Sequence, residues 1–172
     1  MQLTVQSHLE QTVIEQTLQD CFQLQRTSFH QQGIESNSQR KQHLLNLKAM
    51  INNHREAIIE ALNRDYGNRS RHETLLAEII TATDDINSSI KHLNQWTKVQ
   101  KRRVDHSMYF GAKNRLIPQP LGVIGVIVPW NFPVNLMFSQ LSAVFAAGNT
   151  AMVKMSENSR HLAELLIEIS PK

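Results

Sequence analysis

Residues 122–157 read GVIGVIVPWNFPVNLMFSQLSAVFAAGNTAMVKMSE, and this pattern decides the fold class. Val123 to Val128 is a run of β-branched and apolar residues interrupted by Gly125, the composition of a strand covered on both faces of a parallel sheet. Pro129 and Pro133 bracket Trp130, Asn131 and Phe132. Each proline lacks a backbone donor and restrains the residue before it, so the strand ends here and a rigid turn holds Asn131 in place. From Val134 to Ala147 the apolar residues Leu136, Met137, Leu141, Val144 and Phe145 recur at three- and four-residue steps, and Gly148-Asn149 supplies a helix stop. Thr150 to Lys154 is a second short strand. Gly122 to Lys154 spans 33 residues, against ~30 or more for a strand, crossover helix and parallel strand. An α/β architecture of the doubly wound kind is the context this unit predicts.

The usual dinucleotide fingerprint is missing. Gly122 and Gly125 precede or lie within the first strand and form no G-x-G-x-x-G turn ahead of a helix. In its place Lys154 ends the second strand, followed by Ser156 and Glu157. In a nucleotide site a lysine ammonium donates to ribose hydroxyls and a carboxylate accepts from them while repelling a 2′-phosphate. Spacing alone favours ordinary polar residues after a strand.

Upstream, the first hundred residues are helical. Leu9, Val13, Ile14, Leu18, Cys21 and Phe22 form one apolar stripe, which makes Cys21 a packing residue. A polar loop follows at Gln31-Gln32-Gly33 and Ser36-Asn37-Ser38. Leu44, Leu47, Ile51, Ile58 and Leu62 share a second face that Tyr66-Gly67-Asn68 terminates. Ser70 and Glu73 have the spacing of a capping box, and Leu76, Ile79, Thr83, Ile86, Ile90 and Leu93 then step toward Trp96. Ser107 to Phe110 and Arg115 to Ile117 read as two short strands of a hairpin around Gly111 to Asn114.

Composition sets bounds. A chain of 172 residues permits one domain. Net charge is a modest +3, and the basic cluster of Lys98, Lys101, Arg102 and Arg103 lacks a recognition module or stacking series, so it is read as a solvated patch and not a nucleic-acid site. The histidines show no zinc spacing, and no metal is expected. One cysteine excludes an internal disulfide. The opening MQLTVQSHLEQ has neither a basic start nor an apolar core, and no apolar run approaches ~20 residues. No secretory signal or membrane span is expected, which leaves a cytoplasmic location by default.

Pro120 to Pro133, Ala147-Gly148-Asn149-Thr150 and Val153 to Glu157, in that order and spacing, resemble the aldehyde dehydrogenase superfamily over the first part of its cofactor domain. Asp65-Tyr66-Gly67-Asn68-Arg69-Ser70 with Glu73-Thr74, and the Trp96 region, are most similar to the coniferyl aldehyde dehydrogenase group. The resemblance implies a helical segment at 1–104, a β-hairpin of an oligomerisation sheet at 105–119, and at 120–172 the incomplete start of a Rossmann-like NAD(P)-binding domain. It also implies oxidation of an aldehyde to a carboxylic acid with NAD or NADP, and Glu157 favours NAD.

Residue by residue, Asn131 matches the asparagine whose amide binds the oxyanion formed when a thiolate attacks the aldehyde, a role suited to a fixed neutral N–H donor. Capping of the following helix is the alternative. Ile127, Val128 and Trp130 match positions beside the nicotinamide, although a buried strand requires the first two in any case. Lys154, Ser156 and Glu157 fall at the motif that holds the adenosine ribose. Relatives often begin the next helix with proline where this chain has Arg160, and Ser159 is then the expected N-cap. The family's cysteine nucleophile and glutamate base belong to later motifs, and Cys21 stands outside any nucleophile motif. The 172 residues are therefore expected to be inactive alone, with weak or no cofactor binding. The alternative is a truncated, non-enzymatic product that is unstable or docks through its hairpin on an intact paralogue. A homo-oligomer through the same hairpin is the other partner expected.

Overall fold

The computed structural model describes residues 2–170, with side chains from 13 onward, so that Leu9 of the first apolar stripe lies outside the described side chains. Helices α1 (Gln2–Gln32), α2 (Asn37–Asn53) and α3 (Arg55–Tyr66) come first. A short α4 (Arg71–Thr74) runs through a π-helical segment, Leu75–Ile80, into α5 (Thr81–Trp96). Strands β1 (Gln100–Arg102) and β2 (Asn114–Leu116) follow, then β3 (Val123–Ile127), α6 (Pro133–Ala146), β4 (Thr150–Lys154) and α7 (Arg160–Ile169).

The β3-α6-β4 unit has the expected form. β3 and β4 pair in parallel, with Val123 opposite Thr150 and Ile127 opposite Lys154. α6 packs on α2 and α5, while α7 packs on α3. One apolar core results, in which Leu44, Ile51, Ile58, Leu62, Ile86 and Phe138 are fully buried. Truncating an aromatic at such a site typically costs about 3–5 kcal/mol, so Phe138 is a principal tie between α6 and the upstream helices.

Several local expectations need correction. β3 is not covered on both faces: Val126 and the following Val128 are buried, but Gly125 is exposed and Ile127 is 82% exposed. A two-stranded sheet packed on α6 and α1 still leaves alternate residues toward the carboxyl end of β3 uncovered. The second apolar face is divided between two helices, which break at His54. Its residues Leu44, Leu47, Ile51, Ile58 and Leu62 are all buried, and Gly67 ends α3 with φ 79°. The hairpin is antiparallel, but its first strand is Gln100–Arg102, with Lys101 opposite Arg115. Ser107 to Phe110 is turn, because Asp105 Oδ1 accepts from the Ser107 amide at 3.0 Å and from its hydroxyl at 2.5 Å.

The cap at Ser70 makes no side-chain hydrogen bond. The capping box lies instead at Ser36 and Gln39, ahead of α2, in what read as loop. In the third helical stripe Ile79, Ile86 and Leu93 are buried but Leu76 is 64% exposed, because it lies in the π-helical turn, whose wider winding takes it off that face. Cys21 is exposed, as are Val13, Ile14 and Leu18, so it is not a packing residue. α1 reaches the sheet through Gln25, which donates to the Ala151 carbonyl at 3.2 Å.

Candidate functional site

Parallel pairing brings the carboxyl ends of β3 and β4 together, the end at which open α/β sheets hold ligands. Beyond β3, Ile127, Trp130 and Asn131 are exposed. Val128 differs from them: its side chain is buried, and its N–H donates to the Lys154 carbonyl at 2.9 Å. Beyond β4, Lys154 forms a close ion pair with Glu157, both side chains exposed. The Lys154 ammonium holds the Glu157 carboxyl below the usual carboxylate range. Ser156 shapes the turn between them and α7, its carbonyl accepting from the Ser159 amide at 3.0 Å and its hydroxyl from the Asn158 amide at 3.3 Å.

The Trp130-Asn131 turn is held from below by three residues that sequence reading did not single out for the site. Tyr66, the last residue of α3, donates its hydroxyl to the carbonyls of Trp130 and Asn131, the latter at 2.8 Å. Burial pushes the Tyr66 phenol up, which keeps it a donor. Arg69 donates Nη1 to the Asn131 carbonyl at 3.2 Å. Its guanidinium also lies 4.5 Å from the Tyr66 ring centre and 5.1 Å from that of Phe132. Glu78, in the π-helical segment, accepts from the Asn135 amide at 2.8 Å and lies 3.0 Å from Arg69 Nη1. Both side chains are buried, at 0% exposure for Glu78 and 3% for Arg69. Burial pushes the Glu78 carboxyl up to about 7, although Arg69 and the Asn135 and Val134 amides pull the other way.

These contacts follow from what α6 lacks. It begins with Pro133, has no side-chain cap from Phe132 and no acidic residue in its first turn. Its free amides therefore need an acceptor, and Glu78 supplies one. A carboxylate within the apolar sequence Leu75-Leu76-Ala77-Glu78-Ile79-Ile80 is the one sequence signal from which this role could have been read. α7 is built alike: Ser159 makes no side-chain cap, contrary to expectation, and Asp65 accepts from the His161 amide at 2.8 Å and the Leu162 amide at 3.0 Å.

The Ala147 to Thr150 motif also has a physical basis. Asn149 Oδ1 accepts from the Leu121 and Gly122 amides at 2.6 and 2.9 Å, which binds the start of β4 to that of β3. Gly148 has φ 80°, and a Cβ there would lie 2.6 to 2.8 Å from the Arg40 guanidinium. That guanidinium donates to the Ala146 carbonyl at 3.3 Å, closing the carboxyl end of α6.

A groove of about 1150 Å³ opens beside the Lys154-Glu157 pair. Met50, Phe138, Leu141, Phe145 and Leu166 give it apolar walls, while Lys154, Ser156 and Glu157 line one side. Apolar walls thus lie directly beside an ammonium and a carboxylate. Among the described residues no group of three or more metal-ligating side chains occurs, and no helix is long and apolar enough to cross a membrane.

Known proteins resemble this chain over most of its length. A probable coniferyl aldehyde dehydrogenase of Pseudomonas aeruginosa is 39% identical over 159 residues, which are 90% of this chain and 33% of that protein. The structure described as the substrate-bound state of Staphylococcus aureus AldH superposes with a TM-score of 0.81 at 30% identity, covering 91% of this chain and 33% of the other. An NAD-dependent benzaldehyde dehydrogenase from Corynebacterium glutamicum shares the fold, with a TM-score of 0.71 at 22% identity over 88% of this chain and 33% of that one. The chain thus spans about a third of the length of these relatives. The sequence model of the aldehyde dehydrogenase family matches residues 14–172, and the chain belongs to that family.

Proposed function

We propose that this chain is the amino-terminal part of a coniferyl-type aldehyde dehydrogenase, oxidising an aldehyde to a carboxylic acid with NAD. The observation that carries the reading is the placement of Asn131 and the Lys154-Glu157 pair at one end of two parallel strands. When bound there, the nicotinamide supplies the hydride acceptor. Lys154 donates to the ribose hydroxyls and Glu157 accepts from them, and the Glu157 charge disfavours a 2′-phosphate. The exposed side chains of Ile127 and Trp130 would line the place of the nicotinamide. The Asn131 side-chain amide donates to the aldehyde oxygen as negative charge develops, with the turn beneath it already held by Tyr66 and Arg69. The nucleophile and the general base come from other parts of the complete enzyme, which acts in the cytoplasm, and the hairpin serves its oligomer contacts.

The test uses the complete enzyme together with the 172-residue chain. Asn131→Ala in the complete enzyme is expected to lower turnover by about 2.7–4 kcal/mol of transition-state stabilisation, the range for one oxyanion donor. An unchanged turnover number assigns Asn131 to turn structure instead. The 172-residue chain alone is expected to oxidise no aldehyde, and turnover that survives Cys21→Ser overturns that expectation.

A further inference from the structure

We propose that Arg69 and Glu78 are a positioning pair for the Trp130-Asn131 turn, fixing its backbone from beneath and thereby the place of the Asn131 side-chain amide. The inference rests on the reading of Asn131 as an oxyanion donor.

Each member grips a different part of one short segment. Arg69 holds the Asn131 carbonyl, Glu78 holds the Asn135 amide at the third position of α6, and the two are joined by their own 3.0 Å ion pair. Arg69 follows α3 and Glu78 precedes α5, so the turn is referenced to two helices whose apolar residues lie in the core. Stability alone is a poor explanation, since buried ion pairs are often no better than apolar residues of similar size. Here the arrangement is costly in its own right: Arg69 Nε and Nη2 make no hydrogen bond among the described residues, Nη2 only approaching Glu73 at 3.4 Å. Glu78 also lies in a π-helical turn, a distortion of the backbone that occurs frequently at functional sites.

The charged and titratable groups around Glu78 are Arg69, Glu73 and Tyr66. α6 contributes none, because Pro133 to Ala146 contains no ionisable side chain. Protonation of Glu78 weakens its hold on Arg69, and the turn carrying Asn131 relaxes with it. The pH dependence of the Asn131 amide is therefore a direct report on the pair.

The experiment follows the Asn131 side-chain amide resonance of the full 15N-labelled chain from about pH 5 to pH 8, with Asn135 amide exchange as a second reading. In the native chain the Asn131 resonance is expected to move with a midpoint near neutrality. Glu78→Gln, which keeps an acceptor for Asn135 but loses the charge, abolishes that movement and leaves Asn135 exchange slow. Glu78→Ala accelerates Asn135 exchange by about tenfold or more, in keeping with loss of a helix cap. Glu78→Gln decides the matter where the alanine variant does not fold. A resonance that stays put in the native chain, or titrates unchanged in Glu78→Gln, overturns the pair. Failure of the Asn131 reading itself shows elsewhere, as unchanged turnover in Asn131→Ala of the complete enzyme.

Discussion

α6 and α7 start in the same way and are put to different use. Neither helix caps itself, and each takes a carboxylate from the helices upstream, Glu78 for α6 and Asp65 for α7. Asp65 accepts from two amides and from His161 Nδ1 at 2.8 Å, and its neighbour is a half-buried histidine. Glu78 accepts from Asn135 and is joined to a buried arginine that also reaches the exposed turn before α6. The first arrangement anchors a helix. The second anchors a helix and presents Asn131, and its carboxyl sits where burial makes ionisation expensive. The same local need, a helix start without an acceptor, yields a plain tie in one place and a charged support for an exposed turn in the other.

The largest effect should come from the plain tie. Asp65→Ala leaves the His161 and Leu162 amides without their acceptor and is expected to lower stability by about 3 kcal/mol, read as a shift of the urea midpoint. A loss below about 0.5 kcal/mol breaks the comparison, because the cap on α7 would then be dispensable. Gly148→Ala probes the opposite end of α6. With φ 80° and Arg40 within 2.8 Å of the added carbon, it should cost about 2 kcal/mol and lower the melting temperature.

The buried carboxylate predicts a pH effect of smaller and more specific kind. Glu78 in the folded chain is raised from 4.5 to about 7, so between those values the folded state holds a proton that the unfolded state has released. Its contribution to stability is present below the ordinary carboxylate range and is lost as pH rises through about 7. Glu78→Gln should flatten that part of the stability profile. The smallest effect belongs to the serine that the helix does not use. Ser159 is buried with its hydroxyl unpaired among the described residues, so Ser159→Ala loses no hydrogen bond and should raise stability by about 1 kcal/mol.

The β3-α6-β4 unit was legible because each of its signals is local. Apolar runs, bracketing prolines and Gly148 act within a few residues, and the observed strand and helix limits lie within one residue of those read. The supports of the site were not legible, because they join residues far apart. Tyr66 and Arg69 had been noted for their likeness to one group of relatives, but their bonds to Asn131 span 65 and 62 positions. Capping failed for a related reason. Ser70 and Ser159 have the sequence of caps and make none, and at α7 a carboxylate from another helix takes the serine's place. Cys21 was misread because a helical stripe identifies an apolar face without saying whether anything packs on it.

Arg40, Asp65 and Glu78 all precede, in order of synthesis, the helices whose ends they close. A chain growing at roughly 5–20 residues per second releases α2 and α3 from the ribosome seconds before β4 and α7 exist. The emerging β3-α6-β4 unit and α7 thus meet a stretch of chain that already carries the two acceptors and the donor their helix ends require.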